Sequence, residues 1–350
     1  MRNVRVFSFS TWAAGLEAAA TWLARLPDFD VRVRVTDRHD ARLVRMARLD
    51  CDWYGENARC FAAMTHPEIE FLPARVFGAG GVGELLNATL RCPAGEEWWA
   101  VFTGHLPQQL GALAGKVFAL LRRQGVRILL YGFDEVSREM ACFDDIAPHL
   151  DVLIHDEEPL AAAGRARLRP DCRTVHRSWV ANFVPFSVPF HETPEEKILF
   201  LGSQLGLTPH RQRQIDFLRT KFGDRLVAFA DHSVAVADRG ALNRFKVGLC
   251  PEGRKFVTPA MARTHTDRPF WSGCLGLVPV SEDSASGGRL EELHRAGLIL
   301  RYPHGDLAAL GAACERALAM TNAERRRIYE HFNREETVGT VVAAEIAAAR

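Results

Sequence analysis

The chain has 350 residues, 47% of them apolar and 25% charged, with a formal net charge of +1. That length is too great for one ordinary core and suits two domains of average size. A charge so near balance offers no global field for nucleic acid or an acidic polymer, so no nucleic-acid partner is expected. The eight cysteines are Cys51, Cys60, Cys92, Cys142, Cys172, Cys250, Cys274 and Cys314. None forms a C-x-x-C pair and several sit inside apolar runs, which reads as reduced, mostly buried thiols of a cytosolic protein without a zinc site. Arg2 and Arg5 precede a mostly apolar stretch, but Glu17 and Arg25 interrupt it and Ser8 to Gly15 reads as a strand-to-helix turn, against a signal peptide. No apolar run is long enough to cross a bilayer.

The predicted elements alternate from the start. Val4 to Phe9 is an apolar, β-branched and aromatic strand that turns through Ser10, Thr11 and Trp12 into a helix from Leu16 to Leu26. Val31 to Val35 is the next strand. Trp98 to Phe102, Ile128 to Tyr131 and Val152 to His155 are further strands, and a helix over Ala112 to Arg123 stops at Gly125. Residues 185–197, PFSVPFHETPEEK, contain three prolines and read as a hinge. The alternation then restarts. Ile198 to Leu201 is a strand, Gly202 and Ser203 turn the chain, and Thr208–Pro209 caps a helix that Gly223 ends. Strands at Leu226 to Phe229, Val247 to Cys250, Leu277 to Val280 and Leu298 to Arg301 follow. Helices at Asp306 to Met320 and Ala323 to Phe332 precede an alanine-rich tail.

Such alternation implies an α/β protein of two Rossmann-like, doubly wound parallel-sheet domains facing a cleft, with ligands at the carboxyl ends of the strands. The expected boundaries are 1–184, a hinge at 185–197, a second domain at 198–335 and a helical tail at 336–350.

The second half carries a family likeness. The segments LNRFKVGLCPEGR and RPFWSGCLGLVPV, with Gly276, Pro279 and Val280 forming a Gly-x-x-Pro-Val turn, resemble the donor domain of GT-B glycosyltransferases. The likeness is to CgeB-like proteins, exostosin-like enzymes and bacterial fucosyltransferases. FLGSQLGLTPHRQRQIDFLRTKFG, upstream, fits the same pattern, and ILLYGFDEVSREMACFDDIAPHLDVLIHDE in the first half resembles CgeB-like sequences in rhythm and acidic placement. The resemblance implies transfer of a sugar from a nucleotide-diphosphate sugar to a glycan, lipid-linked or other hydroxyl acceptor, as in polysaccharide biosynthesis. Residues 1–184 would face the acceptor and 198–335 would hold the donor. The implied location is cytoplasmic, with peripheral contact at the inner membrane where the acceptor is lipid-linked.

The chemistry names candidates. A nucleotide-diphosphate leaving group gains negative charge as the glycosidic bond breaks, and without a metal or other cofactor it must be met by helix N-termini, backbone N–H groups and cations. Gly202 and Ser203 stand at a strand end where backbone can approach a phosphate. Arg211 lies in the first turn of the following helix, and its spacing to Ile215 and Leu218 matches the fucosyltransferase pattern; its plain reading is a solvated residue. Asp267 and Arg268 resemble an acidic–basic pair that holds the donor, against the plain reading of a helix N-cap with an exposed neighbour. Arg254 and Lys255 follow another strand end and are each more simply surface charge. Retaining members carry a glutamate five residues before the glycine of the turn; here Trp271 stands there, so the resemblance implies inversion.

Inversion needs a general base beside the acceptor hydroxyl. Glu135 is the first choice, just past a strand end in YGFDEVS; His105, in FTGHLPQ, is second and Asp134 third, each with the plain reading of a hydrogen-bonded loop residue. Arg42, Arg45 and Arg48 share a helix face and read more simply as solvated than as a contact for an anionic acceptor. Trp98 and Trp99 fit a buried strand as well as a sugar-stacking surface. No Walker loop, G-x-G-x-x-G after a strand or H-E-x-x-H helix is present. Two other classes share the expected shape: a sugar-nucleotide epimerase, which would turn over donor alone, and a non-catalytic hinged ligand-binding protein.

Overall fold

The computed structural model describes residues 3–9, 69–73, 94–103, 107, 114–132, 140–155, 162–177, 180–181, 185–200, 208–228, 239–251, 267–283 and 288–349. The chain forms two compact units, Met1–Arg177 together with Val341–Arg350, and Ser178–Thr340. The helix expected at Leu16 to Leu26, the strand at Val31 to Val35 and the arginines Arg42, Arg45 and Arg48 lie outside the described residues.

In the first unit, strands β1 (Asn3–Phe9), β2 (Ile69–Pro73), β3 (Glu96–Thr103), β4 (Val126–Tyr131), β5 (Val152–His155) and β6 (Arg173–His176) form one sheet in the order β2-β1-β3-β4-β5-β6. Every pairing is parallel. β5 is buried at each position and β4 at all but one, the near-continuous apolar run that a sheet covered on both faces demands. Helix α1 (Ala114–Arg123) packs Val117, Phe118 and Leu121 into the core, with Phe118 stacked on Phe102 of β3 at a centroid distance of 4.5 Å. Gly125 follows it at φ +80°, a left-handed conformation that glycine adopts without Cβ strain, and its N–H returns to Arg122 O at 3.0 Å.

Asp151, buried just ahead of β5, ties these elements together. Its carboxylate accepts from Ile128 N at 2.7 Å and Arg122 Nη1 at 2.7 Å, with Arg169 Nη1 at 3.3 Å. Short helices α2 (Phe143–Ile146) and α3 (Ala162–Arg167) complete the described part of this unit. The chain returns to it in helix α9 (Val338–Ala348), where Arg173 pairs with Glu345 at 2.8 Å and Arg127 donates to Ala349 O at 2.8 Å. Trp99 is fully buried, near the amino end of β3, with the Arg127 guanidinium 4.3 Å from its ring. It presents no face to a sugar, and Trp98, partly buried, packs against the cluster that holds Phe102 and Phe118.

The second unit's strands are β7 (Glu195–Phe200), β8 (Leu226–Ala228), β9 (Phe245–Cys250), β10 (Val278–Glu282) and β11 (Leu300–Tyr302), ordered β11-β10-β9-β7-β8 and all parallel. Among the described residues, and numbered from its own first strand, each sheet runs 2-1-3-4-5, and the first adds β6 at its edge. This is a doubly wound order, whose direction of winding reverses between the first and third strands.

Helix α4 (Pro209–Phe222) begins as its sequence specifies. Thr208 Oγ1 accepts from Arg211 N at 3.3 Å, Pro209 opens the helix, and Gly223 ends it at φ +54°. Helix α5 (Arg268–Cys274) lies directly on β9, so close that a Cβ on Gly248 would stand 2.5 Å from Ser272 Oγ. Helices α6 (Gly288–Arg295), α7 (Leu307–Ala319) and α8 (Asn322–Glu335) follow. Asp306 caps α7, and a reciprocal Thr321–Glu324 box caps α8.

From α8, the fully buried Arg325 donates to Gly276 O at 2.9 Å and His191 O at 3.1 Å. Asn333 donates to Cys274 O at 3.0 Å. Together they staple the turn between α5 and β10, where Gly276 has φ +79°. Burial pushes the Arg325 guanidinium down to about 10. The proline-rich segment 185–197 packs on this unit as well. Tyr329 donates to Val188 O at 2.7 Å, and Asn243 donates to Pro189 O at 2.7 Å. No helix among the described residues is long and apolar enough to cross a membrane.

Candidate functional site

The reversal of winding in the second unit falls between β7 and β9, and their carboxyl ends are where a doubly wound sheet leaves a crevice for ligand. β7 ends at Phe200; residues 201–207, with Gly202 and Ser203, lie outside the described residues, and the chain is next described at Thr208 and the first turn of α4. β9 ends at Cys250 and Pro251.

Two of the expected cations meet at this point. Arg211, in the first turn of α4, extends Nη2 to within 3.5 Å of Pro251 O, and Arg268, the first residue of α5, donates Nη1 to the same carbonyl at 3.1 Å. One carbonyl at the end of β9 thus gathers two guanidinium groups from different helices. Arg211 is only 9% exposed, so the plain reading of a solvated residue does not hold. Ile215 and Leu218 lie on the same buried face of α4, as the spacing anticipates. A guanidinium this enclosed keeps its planar fork oriented, and little side-chain freedom remains to be lost when an anion docks.

Asp267 occupies the N-cap position of α5, yet its backbone is helical and its side chain makes no capping hydrogen bond. It is half-buried. Trp271 is buried between α5 and its surroundings and 3% exposed, so the position of the retaining glutamate is filled by core. Glycine is required beneath α5. Gly248 lets the Ser272 side chain sit against β9, and Gly273, within α5, lies so near α8 that a Cβ would stand 2.3 Å from the Phe332 ring, so the helix that carries Arg268 is packed closely on two sides. Arg254 and Lys255 lie outside the described residues. So do the three candidate bases of the first unit, Glu135, His105 and Asp134, although β3 ends at Thr103 and β4 at Tyr131, just before them.

A second group at the neighbouring strand ends is absent from the sequence reading. Glu282, the last residue of β10 and fully buried, lies 2.6 Å from His210 Nε2 and 2.9 Å from His304 Nδ1. His210 precedes Arg211 on α4, and His304 follows β11. The only sequence clue is the juxtaposition of His210 and Arg211 in one helical turn, because the partners are far apart along the chain.

Fold and site together define a two-unit parallel α/β protein with a cation-lined reversal point at its strand ends. No family model and no curated protein matches the chain. Among solved structures, it is similar to a lipopolysaccharide outer core galactosyltransferase, WaaB, in its apo form, at 10% identity over 99% of each chain with a TM-score of 0.46. It is similar to AviGT4, a glycosyltransferase involved in avilamycin A biosynthesis, at 13% identity over 100% of this chain and 97% of that one, with a TM-score of 0.45. A sucrose-phosphate synthase from Thermosynechococcus elongatus is 14% identical over 99% and 98% of the two chains, with a TM-score of 0.39.

Proposed function

We propose that the protein is a glycosyltransferase that moves a sugar from a nucleotide-diphosphate donor to a hydroxyl acceptor, with inversion. The observation that carries this reading is the convergence of Arg211 and Arg268 on the Pro251 carbonyl at the reversal point of the second sheet. A diphosphate arriving there meets two planar cations and the amino end of α4, a helix of 14 residues. These groups oppose the charge that builds on the leaving diphosphate without requiring Mg²⁺. Asp267 is the acceptor for donor hydroxyls, and Gly202, Ser203, Arg254 and Lys255 complete the donor site.

The buried Trp271 supports inversion, since the acidic residue of the retaining arrangement is missing. The acceptor hydroxyl then needs a base to take its proton as it attacks the anomeric carbon, and Glu135 is assigned that role ahead of His105 and Asp134. A glycan or lipid-linked acceptor in the cytoplasm follows from the same resemblance.

The test is thermal stabilisation by GDP, UDP, CDP, ADP and TDP, each with and without Mg²⁺. At least one should raise the melting temperature without the metal. Arg211→Ala should weaken that nucleotide by about tenfold to a hundredfold, the loss of one or two charge-assisted hydrogen bonds. No shift with any nucleotide ends the reading, and unchanged affinity in Arg211→Ala removes that residue from it.

A further inference from the structure

We propose that His210, Glu282 and His304 form a binding site for a divalent cation of the zinc class, with the side chains of two histidines and one glutamate as ligands. The three potential ligand atoms lie within 4.8 Å of one another. They come from three elements of the second unit: the first turn of α4, the end of β10 and the loop after β11. Two imidazole nitrogens and a carboxylate oxygen are the donor set that zinc takes when three protein ligands leave one position open. The burial gradient fits such a site. Glu282 is fully enclosed and His210 19% exposed, whereas His304 is 46% exposed and leaves the solvent side open.

The hydrogen-bond arithmetic also favours an ion. Glu282 Oε1 has four nitrogens within 3.1 Å: His210 Nε2 at 2.6 Å, His304 Nδ1 at 2.9 Å, Gln214 Nε2 at 3.0 Å and Gly305 N at 3.1 Å. One carboxylate oxygen has about two lone-pair sites, so four nitrogens crowd it, and Gln214 Nε2 also lies 2.9 Å from His210 Nε2. The two imidazole rings are stacked on each other at 4.3 Å, both turned to this oxygen. With a cation between them, lone pairs replace N–H groups at both rings, and only Gln214 and Gly305 still donate to the carboxylate.

Those two are the outer partners that a ligating carboxylate usually has, and Gln214 is itself held by the buried Tyr302 hydroxyl at 3.1 Å. A tetrahedral zinc ion needs ligand atoms about 3.3 Å apart at its usual bond lengths. The two histidine-to-carboxylate distances, 2.6 and 2.9 Å, must therefore lengthen by less than about 1 Å, which the exposed His304 loop, with Gly305 at φ +74°, can supply. The inference does not rest on the proposed transfer reaction.

The experiment is calorimetric titration of the tag-free, chelator-treated full chain with ZnCl₂, with MgCl₂ in parallel and no nucleotide present. One zinc ion per chain should bind, and Mg²⁺, which prefers oxygen ligands, should give no heat at the same concentration. His304→Ala removes an exposed ligand, so the fold should be intact by circular dichroism, and zinc affinity should fall by more than about tenfold. Gln214→Ala should weaken zinc by roughly tenfold to a hundredfold through the carboxylate it orients. Absence of zinc binding to the parent chain overturns the proposal. Binding of equal strength and stoichiometry in a folded His304→Ala also overturns it, because the ion then sits elsewhere. Neither result touches the nucleotide titration, and a failed nucleotide panel leaves the zinc titration standing.

Discussion

Gly248→Ala tests the contact that seats Arg268. The added methyl carbon would lie 2.5 Å from Ser272 Oγ and 2.7 Å from Ser272 Cβ, against ordinary carbon contacts of about 3.5–4 Å. Ser272 Cβ is bonded directly to the α5 backbone and has no flexible length that could swing away, so the helix itself must move off β9 by about 1 Å. Overpacking of this kind costs about 1–3 kcal/mol. For a cooperative unit of this size each kcal/mol lowers the melting temperature by about 2–4 °C, so a loss of roughly 2–12 °C is expected in scanning calorimetry.

The decisive measurement is a double-mutant cycle with Ser272→Gly. Alone, that change places a glycine in α5 at a cost of about 0.5 kcal/mol relative to serine and removes the Ser272 Oγ contact with Cys250 Sγ at 3.6 Å. Combined with Gly248→Ala it makes room for the methyl, so the pair should be less damaging than the sum by at least about 1 kcal/mol. Additive effects, or a Gly248→Ala melting temperature within error of the parent, would refute the close approach of helix and strand.

Other outcomes follow from the same packing and chemistry. Glu135→Gln should abolish transfer while nucleotide affinity stays within about twofold; full residual transfer passes the role of base to His105 or Asp134. Arg325→Met leaves the buried Gly276 carbonyl and the partly buried His191 carbonyl without their donor, which at about 1–3 kcal/mol for a buried group should lower stability by roughly 1–4 kcal/mol in denaturant titration. Hydrogen bonds from the Thr321 backbone and hydroxyl hold the Glu324 carboxyl below its ordinary 4.5. The stabilisation it contributes is therefore complete above that value and is lost as pH falls through the lower, folded-state value. Glu324→Gln should flatten this part of the acid limb in stability measured from pH 6 downward, and an unchanged acid limb would count against the capping box. Burial pushes the thiols of Cys142 and Cys314 up to about 11 and about 12. Native-state alkylation at pH 8 should therefore leave both unmodified in peptide mass spectra.

Much of the architecture is legible in the sequence because local physics sets it. The strands of the second half are short β-branched or apolar runs between turn residues, and each expected run coincides with an observed strand to within a few residues. Thr208–Pro209, Gly125 and Gly223 act at helix ends as their chemistry requires, since capping depends on neighbours within one turn. β2 and β6 are missing from the sequence reading. RTVH has a single apolar residue and β6 is only partly buried at the edge of its sheet, while IEFLP is a run of five interrupted by Glu70 and closed by Pro73, at the opposite edge. Edge strands carry a weak apolar pattern because one side lacks a neighbour.

The sequence by itself determined the α/β alternation, the restart of the pattern in the second half and the candidate status of Arg211 and Arg268, all encoded within a few residues of each position. Tertiary structure alone decided the strand order, because pairing partners are chosen by long-range burial. It also brought Arg211 and Arg268 to one carbonyl, enclosed Trp99 and gathered His210, Glu282 and His304 around one oxygen atom. Those three residues share no local period; only the folding of β10, β11 and α4 into one layered unit makes them neighbours.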